Sequence, residues 1–215
     1  MGRGSGWWDE PYRHALAARG ISLKSREELD YALHLRGEIY PGEVAQYIWY
    51  DTQDNYPGEF NTYKPIPGEI QYLRNIRQMM DIYDRRRHRP LNPNEILILR
   101  SLVKDFMRRV KRDDISLETR RSEYEMLDEY LNGEWSENES RSVLFAAETV
   151  LYLMHWSGDA IDTYIGRKSD ETSTSARVVH EALNLQRGGY GEMPPGEGEI
   201  LLDLWIQELE RRRYT

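Results

Sequence analysis

The stretch EIQYLRNIRQMMDIYDRRRHRPLNPNEILILRSLVKDFMRRVKR, residues 69–112, decides the fold. In its first half Ile70, Leu73, Ile76, Met80 and Tyr83 keep helical spacing. In its second half Ile96, Leu99, Val103, Phe106 and Val110 follow a strict alternation of three and four. Each set forms one apolar stripe, which is the pattern of a helix that packs on a partner. Between them, Arg85-Arg-Arg-His-Arg-Pro90 breaks the first helix. Asn92-Pro-Asn-Glu95 then opens the second, as a capping box with proline at the first helical position, where its missing N–H costs little. The stretch predicts a long helical hairpin with a strongly basic tip.

Working outward, the same signals repeat. Upstream, Pro67-Gly-Glu69 starts the hairpin, and Pro-Gly-Glu recurs at 41–43, 57–59 and 195–197. The spacings are unequal, so the recurrence is not a solenoid repeat. Its common cause is local: Pro and Gly end one element, and Glu sits favourably in the first turn of the next helix. Residues 1–8 form an arm, Asp9 caps a helix that stops at Gly20, and Ser25-Arg-Glu-Glu28 caps a second that ends at Gly37. Pro41 opens a shorter helix through Tyr47 and Tyr50. Thr52 to Pro67 is an irregular Tyr/Pro/Gly-rich excursion, within which Tyr56 to Tyr63 is the candidate for a minor hairpin.

Downstream, a helix is expected from Ser116 through Leu131, ended by Asn132-Gly133. Ser136-Glu-Asn-Glu139 caps the most apolar helix, whose broad face holds Val143, Leu144, Ala147, Val150, Leu151 and Met154. Gly158 interrupts it before a short helix over 160–165. After the polar linker 169–175, helices are expected over 176–185 and 198–213, separated by Gly188-Gly-Tyr-Gly191 and Pro194-Pro195. Few segments alternate with period two. The expected class is therefore all-α: an arm (1–8), N-terminal helices with the ordered loop (9–68), and a helical bundle (69–215). Within that bundle two hairpins, 69–112 and 117–156, meet as four helices.

Composition narrows the function. The 215 residues are 39% hydrophobic and 31% charged, too apolar for a wholly disordered chain. Fifteen Tyr and six Trp against three Phe favour surfaces that are half dry and half wet. Trp7, Trp8, Tyr47, Trp49, Tyr50, Tyr56 and Tyr63 are the candidate subunit-interface residues, with ordinary core and boundary positions as the plainer reading. The chain has no cysteine, which excludes disulfides, thiolate catalysis and Cys-ligated zinc. The opening Met1-Gly-Arg-Gly-Ser-Gly-Trp-Trp8 lacks the apolar region of a secretory signal, and no run is long enough to span a bilayer.

No catalytic pattern emerges. His14, His34, His88, His155 and His180 show neither an i,i+4 pair nor a His-Glu-x-x-His arrangement, so no metal site is expected. Gly188-Gly-Tyr-Gly191 lacks the Lys-Ser/Thr of a phosphate loop, and no Gly-x-Ser-x-Gly is present. No cofactor is expected, and the chain reads as a non-enzyme. A site assembled from distant residues is the enzymatic alternative.

Charge is more informative. The chain carries −8 overall, yet residues 74–112 hold twelve basic and four acidic side chains, leaving −16 for the rest. Arg85, Arg86, Arg87 and Arg89 cluster at the hairpin tip. Arg74 and Arg77 share its first helix, and Arg100, Lys104, Arg108 and Lys111 recur along the second. Guanidinium groups match phosphate geometry and position a protein on a duplex without reading bases. Two plainer readings stand beside this one. The patch docks an acidic protein partner, or it is a solvated face in which Arg77–Asp81 and Asp81–Arg85 are ordinary i,i+4 pairs, each worth about 0.2–0.5 kcal/mol.

The layout of Gly2-Arg-Gly4, a first helix from Asp9, and a compact helical bundle without a catalytic signature resembles the major coat proteins of filamentous archaeal viruses, the enveloped lipothrixvirus-like kind. The likeness lies in layout, size and composition across most of the chain. It implies a structural protein of the virion that pairs with itself or a homologous coat protein. It also implies that the assembly wraps linear double-stranded DNA in an A-like form, as a helical filament beneath a lipid membrane. In such proteins the arm and first helices grip the DNA, which here points to Arg3, Arg13, Arg19, Lys24 and Arg26. The basic hairpin and the net charge of −8 depart from that pattern, so two surfaces compete to face the nucleic acid. The reading that follows is a coat protein packaging double-stranded DNA. The rival is a helical scaffold or regulatory interaction module without nucleic acid.

Overall fold

The computed structural model describes residues 63–86, 89–110, 125–127, 129, 139–168, 171–187 and 197–213. The expected arm, the helices before residue 51, most of the excursion (Tyr56 included) and most of the helix over 116–131 lie outside the described residues. So do the Ser136 capping box and the turn at 188–191. Among the described residues there is no strand. The fold is all-α: α1 Glu69–Arg85, α2 Pro93–Arg109, α3 Glu139–Trp156, α4 Gly158–Ile165, α5 Thr174–Gln186 and α6 Glu197–Arg213. Residues 125–127 and 129 are also helical.

The described residues fall into two compact units. One spans Pro65–His180, and the other contains Tyr63, Lys64, the end of α5 from Glu181, and α6.

In the first unit α1 and α2 are the expected hairpin. The start of α1 is built by Ile66-Pro67-Gly68-Glu69. The Glu69 amide donates to the Ile66 carbonyl (3.1 Å), and Gly68 adopts φ 87°, ψ −16°. With Pro67 before it, this is a type II turn, whose third position needs the positive φ that glycine supplies without strain. The Glu69 carboxylate turns back to accept from the Ile66 amide (3.1 Å). The start of α2 matches its sequence signature: Asn92 accepts from the Glu95 amide (2.9 Å), the Glu95 side chain accepts from the Asn92 amide (2.9 Å), and Pro93 leads the helix.

Every residue of the two predicted stripes is buried, from Ile70 to Tyr83 and from Ile96 to Val110. Met79, Ile82 and Leu102 widen them. α3 makes its most extensive contact with α2 and also packs on α1, burying Val143, Ala146, Ala147, Val150, Leu153 and Met154. The fourth helix packed on these three, among the described residues, is the short α4. Ser157 caps it by accepting from the Ala160 amide (3.3 Å), and Gly166 ends it at φ 100°. Each large side chain buried here contributes roughly 1.5–3 kcal/mol. This bundle is the frame on which the exposed charges are mounted.

In the second unit α6 buries Leu201, Leu202, Trp205, Ile206 and Leu209. Tyr63 packs its ring against Trp205 (centroids 5.5 Å apart), and Arg212 donates to the Tyr63 carbonyl (3.2 Å).

Candidate nucleic-acid interface

The tip of the α1–α2 hairpin gathers Arg85, Arg86 and Arg89 within five residues, all exposed. Helix α1 delivers the first of them at its C-terminus, where cations favour the helix dipole. Their positions are fixed by neighbours rather than left to solvent. Arg86 lies over the Tyr83 ring, 3.9 Å from its centroid, and donates to the Tyr83 hydroxyl. Arg85 donates through Nη2 to Asp81 (2.5 Å) and through Nη1 to Glu95 Oε1 (3.1 Å). Arg89 clasps Glu95 with both Nη atoms, at 2.8 and 2.6 Å, and Nη1 also reaches the Pro90 carbonyl (3.2 Å).

Glu95 is therefore the hub of the tip. Its carboxylate takes two guanidinium groups and the Asn92 amide while only 5% exposed. The hydrogen bond from Arg89 is the chief cause of its lowered pKa, about 2; the Asn92 amide and Arg85 act in the same direction and burial opposes them. Arg89 is raised in turn by the same partner. Burial pushes the Tyr83 phenol up, Arg86 pulls it down, and Glu148 of α3 raises it.

The other basic positions are more scattered. Arg77 pairs with Asp81 at 3.5 Å. Arg74 and Lys104 are exposed, and Arg100 is half-buried. Arg108 is exposed and pairs with Asp105 at 2.6 Å. Arg3, Arg13, Arg19, Lys24, Arg26, Arg87 and Lys111 lie outside the described residues, as do Trp7, Trp8, Tyr47, Trp49, Tyr50 and Tyr56. Of the aromatic interface candidates only Tyr63 is described, half-buried against Trp205 of its own chain.

Three polar clusters escaped the sequence reading, and all hold the frame. The first is at the base of α1. Glu69 is fully buried, and Arg167 forks onto it through Nε (2.8 Å) and Nη2 (3.2 Å). Beside it Asp162 accepts from the Ser173 amide (2.9 Å) and the Ser173 hydroxyl. Burial raises the Asp162 pKa, partly offset by the Ser173 hydrogen bonds and by Arg167.

The second cluster surrounds Tyr164 of α4. Its hydroxyl donates to Asp105 of α2 (3.0 Å) and receives the Asn75 amide of α1 (3.3 Å), and burial drives its pKa upward. Arg109 covers the same helix end, donating from Nε to the Tyr164 carbonyl (2.9 Å) with its guanidinium 3.7 Å from the Tyr72 centroid.

In the third, the rings of His155 and His180 stack 5.0 Å apart. His180 Nδ1 contacts the His155 carbonyl at 2.7 Å, and since a carbonyl only accepts, that nitrogen carries the proton.

Among the described residues, no group of three or more His, Asp or Glu is arranged to hold a metal ion. Nor, among them, is any helix long and apolar enough to cross a membrane. Leu97, Phe145 and Trp156 are the exposed large apolar residues among those described. Comparison of the chain with known protein families, with characterised proteins and with solved structures finds no match.

Proposed function

We propose that this chain is a structural protein that binds a polyanion, double-stranded DNA, through phosphate contacts. In this reading it is a coat subunit, packed against copies of itself or a homologue in a helical filament of a virion. The observation that carries the reading is the convergence of Arg85, Arg86 and Arg89 at one exposed end of the α1–α2 pair. Exposed Arg74, Lys104 and Arg108 extend positive charge along the same hairpin. Contacts of this kind neutralise a regular array of phosphates and need no catalytic centre.

The test is duplex binding by the full chain over a salt series. Two charge-reversed variants are compared with the parent: Arg85→Glu/Arg86→Glu, and Arg3→Glu/Arg13→Glu/Arg19→Glu. Loss of binding in the first, with helicity unchanged, supports the hairpin tip as the phosphate surface. Loss in the second alone moves the surface to the arm and first helix. Parent affinity in both rejects the reading. Imaging of the purified assembly then separates a filament from a discrete oligomer.

A second reading is favoured by two observations. The tip arginines are largely paired within the chain, and Leu97 and Trp156 are more than half exposed. Both fit a helical module that docks another protein and carries no nucleic acid.

A further inference from the structure

The fork of a guanidinium, its paired Nη edge, is the face that clasps two phosphate oxygens at once. Of the three guanidinium groups described at the hairpin tip, Arg85 and Arg89 have their forks occupied by carboxylates. Arg89 spends its Nη1/Nη2 edge on the two oxygens of Glu95. Arg85 spends Nη1 on Glu95 and Nη2 on Asp81. The Asn92 amide, a donor at the start of α2 and a natural anion ligand, also points at Glu95. One carboxylate thus occupies the donor set that a phosphodiester oxygen pair would use: two guanidinium groups and a helix N-terminal amide.

We propose that Glu95 is an internal competitor for the phosphate site at the hairpin tip, so that a nucleic-acid phosphate clasps Arg85 and Arg89 only by displacing the Glu95 carboxylate. This rests on the polyanion reading above and adds a regulating element to it. The free subunit is held in a self-paired state with low affinity for isolated phosphates. A duplex, which presents many phosphates to many subunits, overcomes the competitor collectively. With Glu95 and Asp81 in place, Arg85 and Arg89 contribute no net local charge; removing one carboxylate charge uncovers one cation.

The opposite possibility is that Glu95 serves as an organiser, orienting the arginines so that their remaining N–H groups meet phosphate side-on. The two make opposite predictions for Glu95→Gln. Glutamine keeps an oxygen for the Asn92 amide and so preserves the capping box, but it releases the guanidinium forks. A competitor's removal tightens binding of a short duplex about three- to tenfold and steepens the salt dependence, adding about −0.9 to the log–log slope for each further phosphate engaged. An organiser's removal weakens binding. Asp159→Asn, an exposed carboxylate on α4, controls for the change in net charge and is expected to leave the slope unaltered.

Should Glu95→Gln fail to fold, the parent protein supplies the second measurement. The Glu95 carboxylate carbon and the Arg89 side-chain nitrogens are followed by NMR during titration with a short duplex. Displacement moves both sets of signals together. Duplex binding without movement of either overturns the competitor, as does unchanged or weaker binding by Glu95→Gln. Absence of duplex binding in parent and variant alike overturns the polyanion reading, and with it this one.

Discussion

Removing the Arg167 side-chain charge should destabilise the chain more than its position after a short helix suggests. Its partner Glu69 is fully buried, whereas Arg167 itself is one-fifth exposed. In Arg167→Met the carboxylate retains the bond from the Ile66 amide and loses both charged hydrogen bonds from Arg167. Breaking a buried pair by deleting one member costs about 3–5 kcal/mol, because the remaining charge is stranded. Water entering the vacated, partly exposed position holds the expected loss near the lower end, ~3 kcal/mol. For a chain of this size that lowers Tm by roughly 6–12 °C. Urea melts of the full chain followed by far-UV circular dichroism measure it. Glu69→Gln added to Arg167→Met removes the stranded charge yet keeps an acceptor for Ile66, and is expected to return to within about 1 kcal/mol of the parent. A single variant that loses under about 1 kcal/mol, as an exposed pair would, refutes the reasoning. A double variant no better than the single refutes it equally.

Other perturbations probe separate parts of the frame. Leu99→Ala empties a fully buried site between helices and is expected to cost about 2–5 kcal/mol in the same melts. Gly166→Ala forces an L residue to φ 100° where space is not the obstacle, the nearest side-chain atom being 3.5 Å from the added carbon; roughly 1–2 kcal/mol should be lost, all of it backbone strain. Asn92→Ala removes the α2 cap and is expected to cost about 1 kcal/mol, with faster hydrogen exchange at the Glu95 amide. Glu95 has a pKa lowered from 4.5 to about 2, so its ionised form stabilises the folded chain. That contribution is complete above pH 4.5 and fades as the pH falls from 4.5 through 2. Parent and Glu95→Gln stabilities should therefore converge over this window, and a gap that persists unchanged to pH 2 would contradict the assignment.

The frame was legible in the chain because its signals are local. Stripes at three and four residues mark Leu73, Ile76, Leu99 and Phe106 as core, and Asn92-Pro-Asn-Glu95 marks a helix start to the residue. The companions of α1 and α2 were harder to foresee. α4 packs on both, although only eight residues long, because its Ile161 and Tyr164 are fully buried. The i,i+4 pairs of Asp81 with Arg77 and Arg85 were legible, but the long-range polar links were not. Glu69 and Arg167 are 98 residues apart, and Asn75 and Tyr164 are 89 apart, so no spacing rule connects them. The tip was half legible. A run of arginines is visible in any reading, but its pairing with Glu95 depends on the hairpin closing and placing the start of α2 against the end of α1. The reading of Glu95 as a capping residue was correct and incomplete, since one carboxylate serves both the helix and the arginines.

The turn that starts α1 carries an implication for the order of folding. Proline, glycine and a back-folded carboxylate set the first turn from four neighbouring residues, yet the same carboxylate ends up shut away from water. While the chain is being synthesised, residue 69 leaves the ribosome well before residue 167. Until then that side chain has reason to stay hydrated, and the turn to remain loosely docked. The beginning of α1 is thus expected to be a late-maturing joint, sealed when a distant arginine arrives, although the local instructions for its shape are already present.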